Sequence, residues 1–411
     1  MFKHEIIKSD ADGALAPPPA LQRRLLPFIV AQSAQSTLLG FAGVFVYTDG
    51  GMAAAMNYIT VFLSAVLISI TLPFALGRWW RMPVGRVVQA GFALPALLLP
   101  WAAGRPMLLG VTVGGYLGLT WAARHWIELG SVGDAERDAY ATRVTVLSVV
   151  ASLATTLLVS GLLALTAEAQ AVALRCYAVL ALLGCWLATR GLPVMPHMCL
   201  QAPWQLLRQP AWRASLPLFA LESGLFGVGL AMSASGAVAA LGKASYYGWA
   251  ASAATLAGAL ALYRLRHRRH AGNRTAWMAL ACAGMVCAQS LLGASAWLPA
   301  LYLAHVLVQA AVQPFWQASE QVLNQRVMDT HGALGDRIVV REFTLGLLRL
   351  LLLGLFWAAV RQWPAQQVLI LGVGLMVSAT LLEYAVGRHW LKRHSGSLAA
   401  AADAAAGHGP T

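Results

Sequence analysis

Twelve long apolar stretches dominate the sequence and leave little room for any architecture other than membrane-spanning helices. A transmembrane helix needs about 20 predominantly apolar residues. Strands of a membrane barrel would alternate polar and apolar residues, whereas these runs are continuous. The sequence therefore predicts an all-α polytopic membrane protein with twelve transmembrane helices. The predicted spans are 25–47, 53–77, 84–103, 106–127, 144–166, 171–190, 215–236, 244–264, 275–294, 298–323, 338–360 and 365–387.

Charge supports this interpretation and sets the orientation. Charged residues make up only 11% of the chain, whereas soluble proteins carry about a quarter. With the N-terminus placed inside, 24 of the 29 Lys and Arg residues fall on the inner side and four on the outer side. Cytoplasmic loops of membrane proteins carry this excess of Lys and Arg. The net charge of +13 is thus expected to reflect cytoplasmic loops beside a lipid bilayer and not a nucleic-acid partner. Both termini are predicted to be cytoplasmic.

The first half of the chain is repeated in the second. Residues 26–34 match residues 216–224 at an offset of 190, which pairs Pro27 with Pro217 and Gln32 with Glu222. Six spans repeated in the same orientation imply two pseudo-symmetric six-helix bundles related by an axis along the membrane normal. The predicted segments are a cytoplasmic tail, an N-terminal bundle, a cytoplasmic linker, a C-terminal bundle and a disordered tail, at 1–22, 23–190, 191–214, 215–390 and 391–411.

Two parallel bundles joined by a cytoplasmic linker resemble the major facilitator superfamily over about 25–390. The loop between spans 2 and 3 ends in Gly85-Arg86, as the signature loop of that family does, but it lacks the family's Asp. The segments 341–349 and 125–129 are similar to a poorly characterised branch of these transporters. The resemblance implies a secondary transporter that works by alternating access. It also implies that the first helix of each bundle lines a central cavity.

Glu222 and Arg349 lie inside predicted spans, where a charge costs about 2.5–3.5 kcal/mol on insertion scales. Glu222 lies roughly eight residues into span 7, and Arg349 lies eleven residues into span 11. Such residues are candidates for function. Glu222 is expected to be a protonatable switch or a cation contact, or else part of a fixed ion pair or hydrogen bond. Arg349 needs a counter-charge or an anionic ligand, and Glu222 is its expected partner.

Polar side chains in the first two spans are further candidates for binding a solute. Gln32 and Ser36 lie one helical turn apart on one face of span 1, with Gln35 beside them. Asn57 in span 2 supports a weaker version of the same argument. These amides and hydroxyls are expected either to hydrogen-bond a ligand or to make polar contacts between helices.

Several charged residues near the inner ends of spans are candidates for an inner gate. The alternative for them is that their side chains extend to the lipid headgroups. The gate candidates are Arg86, Arg124, Glu128, Arg143, Glu320, Arg341 and Glu342.

A separate pattern lies in span 4. Gly110, Gly114 and Gly118 form two overlapping GxxxG spacings, which predict close helix packing.

The motifs of several other protein classes are missing from the sequence. It contains no nucleotide-binding loop, nucleophile elbow or metal-ligand helix, which disfavours an ATPase or hydrolase and predicts neither cofactor nor metal. The sequence predicts a monomeric, proton-coupled transporter of a small polar organic solute in a bacterial inner membrane. By analogy, export of a metabolite or siderophore-like compound is favoured over uptake. The alternative is a scaffold or sensor that uses the same fold without transport.

Overall fold

The computed structural model describes residues 20–131, 134–190, 192, 195–265, 274–328 and 332–406. Within these ranges the chain forms fourteen α-helices and no β-strand, which confirms the prediction of an all-α fold. A 3₁₀ turn at Leu99–Trp101 follows α3. The helices are α1 (Ala20–Ser36), α2 (Leu38–Trp80), α3 (Val84–Leu98), α4 (Pro106–Ser131), α5 (Asp134–Leu165), α6 (Gln170–Ala188), α7 (Pro203–Arg208), α8 (Pro210–Ser223), α9 (Phe226–Leu241), α10 (Ala244–Leu265), α11 (Arg274–Ala294), α12 (Leu301–Met328), α13 (Leu334–Val360) and α14 (Ala365–Ala406).

In the described part of the chain, nine segments are long and apolar enough to cross a membrane. One of them, Arg23–Gly77, covers the predicted spans 1 and 2 together. The predicted spans 8 and 10 correspond to α10 and α12, which are not among the nine segments. Both helices carry polar side chains such as Ser245, Ser252 and Gln309. The polytopic character is confirmed, and the count of twelve remains a prediction.

The first helix of each half is interrupted, which the continuous apolar runs did not predict. α1 ends at Ser36, and α2 begins at Leu38, so that Thr37 alone separates them. In the second half, α8 ends at Ser223 and α9 begins at Phe226. Each interruption follows a proline inside the preceding helix, Pro27 in α1 and Pro217 in α8. A proline removes one helical hydrogen bond and crowds the turn before it, so both prolines loosen the beginning of the helix and not the break that follows.

The change of direction between the predicted spans 1 and 2 occurs at Gly51. Its φ of 63° and ψ of −155° break the helical geometry inside α2. This is a conformation that glycine adopts without the steric cost of a Cβ atom. The predicted boundary between the two spans, at 47–53, therefore coincides with a backbone break and not with a loop.

The helices form two groups, α1–α6 and α8–α14, that face one another. α2 packs on α9 and α13 of the second group, and α5 packs on α10. Spans 5, 8 and 11 are α5, α10 and α13, and span 2 is the second part of α2. The predicted repeat matches span 2 with span 8 and span 5 with span 11, so it relates the contact between spans 2 and 11 to the contact between spans 8 and 5. The α2–α13 and α5–α10 contacts are therefore related in the way that a twofold arrangement requires.

The glycine spacing in span 4 marks the closest helix contact of the first group. A Cβ atom on Gly114 would lie 2.8 Å from the Ala65 Cβ, and the Phe62 carbonyl oxygen is closer still. A Cβ atom on Gly118 would lie 2.6 Å from the Val66 carbonyl oxygen. These distances are shorter than real Cβ contacts, so only glycine allows α4 to lie this close to α2. The prediction of close packing at the GxxxG spacings is confirmed.

Two predicted irregular segments contain helix. α7 lies within the predicted linker 191–214, and α8 begins at Pro210, five residues before the predicted start of span 7. α14 continues to Ala406, into the segment 391–411 that was predicted to be a disordered tail. The reason is the run of alanines over 399–406, because alanine has the highest intrinsic helix propensity. Residues 407–411 lie outside the described ranges.

Two apolar cores occupy opposite ends of the molecule, with a polar layer between them. We call the end that holds the linker residues Met198 and Leu206 the linker end, and the opposite end the far end. Residues 25–31 of α1 pack into the linker-end core, and residues 38–46 of α2 pack into the far-end core. The intervening segment, Gln32–Thr37, reads Gln-Ser-Ala-Gln-Ser-Thr. The fold therefore places this polar segment between the two cores.

Candidate functional site

A cavity of about 270 Å³ lies in the polar layer of the first group. Three helices form its wall: α1, which ends beside it, α4 and α5. Two of the sequence-predicted residues, Gln32 and Ser36, line it. The full lining is Gln32, Ser33, Ser36, Thr37, Trp121, Arg124 and Ser152. Two predicted binding residues are thus brought together with five residues that were not predicted to bind a solute.

Arg124 is the charged group of this cavity. One guanidinium nitrogen, Nη1, donates to the Gln32 Oε1 at 3.0 Å, and Nε donates to the Glu128 Oε1 at 2.8 Å. Its Cζ lies 4.9 Å from the centroid of the Trp121 ring. The sequence placed Arg124 in the inner gate, because the predicted span ended three residues after it. In the structure α4 continues to Ser131, about two turns beyond Arg124. Arg124 therefore lies deep enough to line the cavity.

The hydroxyl groups of the wall already donate to the protein. The Ser36 Oγ donates to the Gln32 carbonyl oxygen at 2.7 Å, and the Ser33 Oγ donates to the Ser148 Oγ at 2.8 Å. The Ser152 Oγ lies 3.4 Å from the Ser33 carbonyl oxygen, in a long hydrogen bond that it donates. A hydroxyl has one hydrogen but two lone pairs. These three side chains therefore offer acceptor oxygens to a ligand.

Gln32 offers a ligand a hydrogen-bond donor instead of an acceptor. Its side chain is 1% exposed, and its Nε2 has no hydrogen-bond partner among the described residues. Its backbone carbonyl is fully used, because it accepts from the hydroxyls of Ser36 and Tyr116. Leaving a buried donor without a partner costs about 1–3 kcal/mol. The amide nitrogen of Gln32 is therefore the least satisfied polar group of the cavity wall.

Two predicted binding residues do not line the cavity. Gln35 is 1% exposed, and neither polar atom of its amide has a hydrogen-bond partner among the described residues. Its position one residue from Ser36 turns it off the cavity-lining face of α1. Asn57 is exposed on α2 and is not among the residues that line this cavity, so its predicted role in binding a solute remains a prediction.

Part of the predicted gate forms a charged cluster between the two groups at the linker end. The Arg341 Nη1 and the Glu342 Oε1 are 2.5 Å apart, and the same carboxylate oxygen lies 3.9 Å from the His125 Nε2. Glu342 is buried on α13, whereas His125 belongs to α4. His125 was not predicted as a gate residue. Its position one residue after Arg124 puts it on the next face of α4, towards the second group.

The other gate candidates lie elsewhere or outside the described side chains. Arg86 is exposed in the first turn of α3, so it contributes nothing to the cluster around Glu342. Glu128 pairs with Arg124 within α4. The side chains of Arg143 and Glu320 lie outside the described part of the structure, and their predicted gate role remains a prediction.

Arg349 contacts the interruption of the first helix in the second group. Its Nε and Nη2 donate to the Ser223 Oγ, at 3.2 Å and 2.5 Å. Its Cζ lies 5.1 Å from the centroid of the Phe226 ring. Ser223 ends α8 and Phe226 begins α9, so Arg349 lies against both ends of the break. The predicted partner of Arg349 is Glu222, which precedes Ser223. The Glu222 side chain lies outside the described part of the structure, so the pairing of Glu222 with Arg349 remains a prediction.

The groups also meet at the far end through polar contacts. The Tyr47 hydroxyl and the Ser235 Oγ are 2.9 Å apart. The Glu168 carboxylate, in the turn between α5 and α6, accepts from the backbone N–H of Ser245 at 3.0 Å and from its Oγ. Ser245 lies in the first turn of α10, where backbone N–H groups have no helical partner. Glu168 was not predicted as a functional residue because it lies in a loop between predicted spans.

Two buried acidic residues were also missed. Asp336 is 4% exposed, and its two carboxylate oxygens accept from the backbone N–H groups of Gln201 and Ala202, at 2.9 Å and 2.8 Å. The contact holds the linker against α13. Glu383 is 3% exposed on α14. An acidic residue inside the predicted span 12 was the available signal for Glu383, whereas no local pattern indicates the contact of Asp336.

The comparisons with known proteins agree on the fold. No protein-family model and no curated protein sequence matches the chain. A structure of a point mutant of the nucleoside transporter NupG matches 89% of this chain and 99% of its own, with a TM-score of 0.65 and 13% identity. A structure of a proton dependent oligopeptide transporter matches 91% and 98%, with a TM-score of 0.62 and 12% identity. A POT family transporter in complex with 5-aminolevulinic acid matches 89% and 96%, with a TM-score of 0.59 and 10% identity. These proteins are transporters and not enzymes, and at these identities the likeness establishes the fold.

Proposed function

We propose, from the premise that this chain has the fold of the major facilitator superfamily, that it is a secondary transporter that moves a small polar organic solute across a membrane. The observation that carries the proposal is the cavity around Gln32 and Arg124, which lies in the polar layer between the two apolar cores. A charged side chain at this depth is costly, and such residues usually serve a transport pathway.

The contacts between the groups support alternating access to this cavity. At the linker end the groups meet through His125 and Glu342. At the far end they meet through Tyr47 and Ser235, and through Glu168 and Ser245. The two sets lie on opposite sides of the polar layer. Separation of one set while the other holds would open the cavity to one side of the membrane at a time.

The proposed solute class follows the chemistry of the cavity and agrees with the structural neighbours. The wall offers one guanidinium, one free amide donor and several hydroxyl acceptors, which suit a polar molecule with both donors and acceptors. The neighbours carry nucleosides or peptides, or hold 5-aminolevulinic acid. We propose protons as the driving ion, export as the direction, and a monomer in the bacterial inner membrane with both termini in the cytoplasm.

Transport can be tested directly in vesicles that contain the purified full chain. We expect a pH gradient to drive accumulation of at least one solute from a mixture of nucleosides, dipeptides and 5-aminolevulinic acid, measured by mass spectrometry. Vesicles without protein, and vesicles with a collapsed gradient, are the controls. If no solute exchanges across the vesicle membrane under either condition, the protein is not a transporter of these solutes, and a scaffold or sensor role gains support.

Glu222 is the proposed proton carrier, since the repeat places the neutral Gln32 at the equivalent position. We expect Glu222→Gln to express and fold like the wild type, to lose accumulation driven by the pH gradient and to retain exchange of solute between equal concentrations. The measurement is accumulation against counterflow in the same vesicles.

A different result would assign Glu222 to structure. If Glu222 only neutralises Arg349, the single variant should be poorly expressed, and the double variant Glu222→Gln, Arg349→Gln should recover much of the loss. Full gradient-driven accumulation by the single variant would remove Glu222 from the mechanism.

A further inference from the structure

We infer that the solute is a small carboxylate that also bears N–H donors, and that its carboxylate binds between the Gln32 Nε2 and the Arg124 guanidinium. The inference rests on the proposed function and specifies its solute. It starts from the orientation of the Gln32 amide. Because Oε1 accepts from the Arg124 Nη1, the amide cannot be turned over without setting two donors against each other. The Nε2 donor is therefore fixed in place with no partner among the described residues.

Arg124 has N–H groups to spare beside this amide. A guanidinium carries five N–H donors, and the described hydrogen bonds of Arg124 use one on Nη1 and one on Nε. The Gln32 amide and the guanidinium are joined by a hydrogen bond of 3.0 Å, so their remaining donors are neighbours on the wall. Two neighbouring donors, one of them cationic, match the two oxygens of a carboxylate.

The rest of the wall explains the N–H donors of the solute. The Ser33, Ser36 and Ser152 hydroxyls donate to the protein, so they present lone pairs. Glu128 already balances the charge of Arg124 at 2.8 Å. A solute that brought only a negative charge would leave the site with a net charge in a weakly polar layer, which is costly. A carboxylate accompanied by a protonated amine binds at a lower cost.

The cavity volume limits the size of the solute. A volume of about 270 Å³ lies near the lower end of the roughly 300–1,000 Å³ that small-molecule sites occupy. The cavity therefore suits a small solute. The indole of Trp121, which Arg124 partly covers, supplies an apolar surface for its carbon atoms. An amino acid, a short amino carboxylic acid or a small dipeptide fits these limits.

Binding to the purified full chain tests the inference with matched probe pairs. The probes are 5-aminolevulinic acid and its methyl ester, and the dipeptide Ala-Ala and its C-terminal amide; each second member lacks the carboxylate. Binding is measured by calorimetry and by the shift in melting temperature. We expect at least one carboxylate probe to bind at least tenfold more tightly than its partner, because hydrogen bonds to a charged group carry this discrimination.

Two substitutions assign that preference to the cavity. Gln32→Glu keeps the size of the side chain and the acceptor for Arg124, but replaces the free donor with a carboxylate oxygen, so we expect at least a tenfold loss of carboxylate binding. Arg124→Lys keeps the charge, loses the paired N–H geometry, and is expected to show a similar loss. Gln205→Glu is the control, since it makes the same change at an exposed residue of α7 that does not line the cavity.

The possible outcomes separate the inference from the proposed function. Equal binding of the two members of each pair, or unchanged carboxylate binding by both cavity variants, overturns the inference. If no carboxylate probe binds at millimolar concentration, the inference also fails. Transport of a nucleoside in the vesicle experiment would then leave the proposed function standing. Failure of transport for every solute class would remove the proposed function as well.

Discussion

Gly114→Ala and Gly118→Ala should each destabilise the protein by about 3 kcal/mol, at the upper end of the usual cost of overpacking. The added methyl group would lie against the backbone oxygens of Phe62 and Val66, which cannot move unless α2 moves. We expect a lower melting temperature in detergent and a reduced yield of monodisperse protein. The measurement is thermal unfolding followed by tryptophan fluorescence.

The same substitution elsewhere provides the control. Gly161 in α5 and Gly354 in α13 have no heavy atom within 4 Å of the position of an added Cβ. Alanine at either position should leave the melting temperature unchanged or raise it, since alanine is favoured over glycine in a helix by about 1 kcal/mol. Equal melting temperatures for all four variants would contradict the close contact between α4 and α2.

Removal of the Asp336 carboxylate is the second substitution with a large expected effect. Asp336→Ala leaves the N–H groups of Gln201 and Ala202 without their acceptors. Hydrogen bonds to a charged group contribute about 1.5–3 kcal/mol each, and these N–H groups can regain water, so we expect a net loss of about 2 kcal/mol. The linker should also detach from α13 and become sensitive to protease between 195 and 209.

Two further variants separate the hydrogen bonds from the charge. Asp336→Asn keeps one acceptor oxygen and should lose about half as much stability. Asp49→Ala removes an exposed carboxylate at the far end and should change neither the melting temperature nor the rate of cleavage. Cleavage of the Asp336→Ala linker at the wild-type rate would show that other contacts hold the linker in place.

The sequence predicted the helices well because continuous apolar runs are a local signal. It placed the boundary between spans 1 and 2 at 47–53, where the break at Gly51 lies, but it did not predict the interruption at Thr37. It identified Gln32 and Ser36 from their helical spacing, and both line the cavity. Arg124 was predicted to be a gate residue because the polar residues near the end of α4 made the predicted span end at residue 127. The helix itself continues to Ser131.

The remaining site residues depend on contacts between distant parts of the chain. Asp336 contacts residues more than 130 positions away, and Glu168 contacts Ser245 across the two groups. No window of sequence contains both partners of such a contact. His125 was visible only as part of a resemblance, because its role depends on the approach of α13 to α4. A single sequence shows which polar residues are costly in a membrane, but not which of them meet.

The turn that carries Glu168 has a conformational consequence for the far end. Ala167 and Glu168 have φ values of 51° and 65°, in the left-handed region that costs residues other than glycine roughly 1–2 kcal/mol each. Hydrogen bonds within the turn hold this conformation at the end of α5, from the Glu168 N–H to the Leu163 carbonyl oxygen at 2.8 Å and from the Thr166 N–H to the Leu162 carbonyl oxygen at 3.0 Å. The Glu168 carboxylate is therefore set in place by α5 itself, and its hydrogen bonds with Ser245 join α5 to α10 with little loss of conformational freedom.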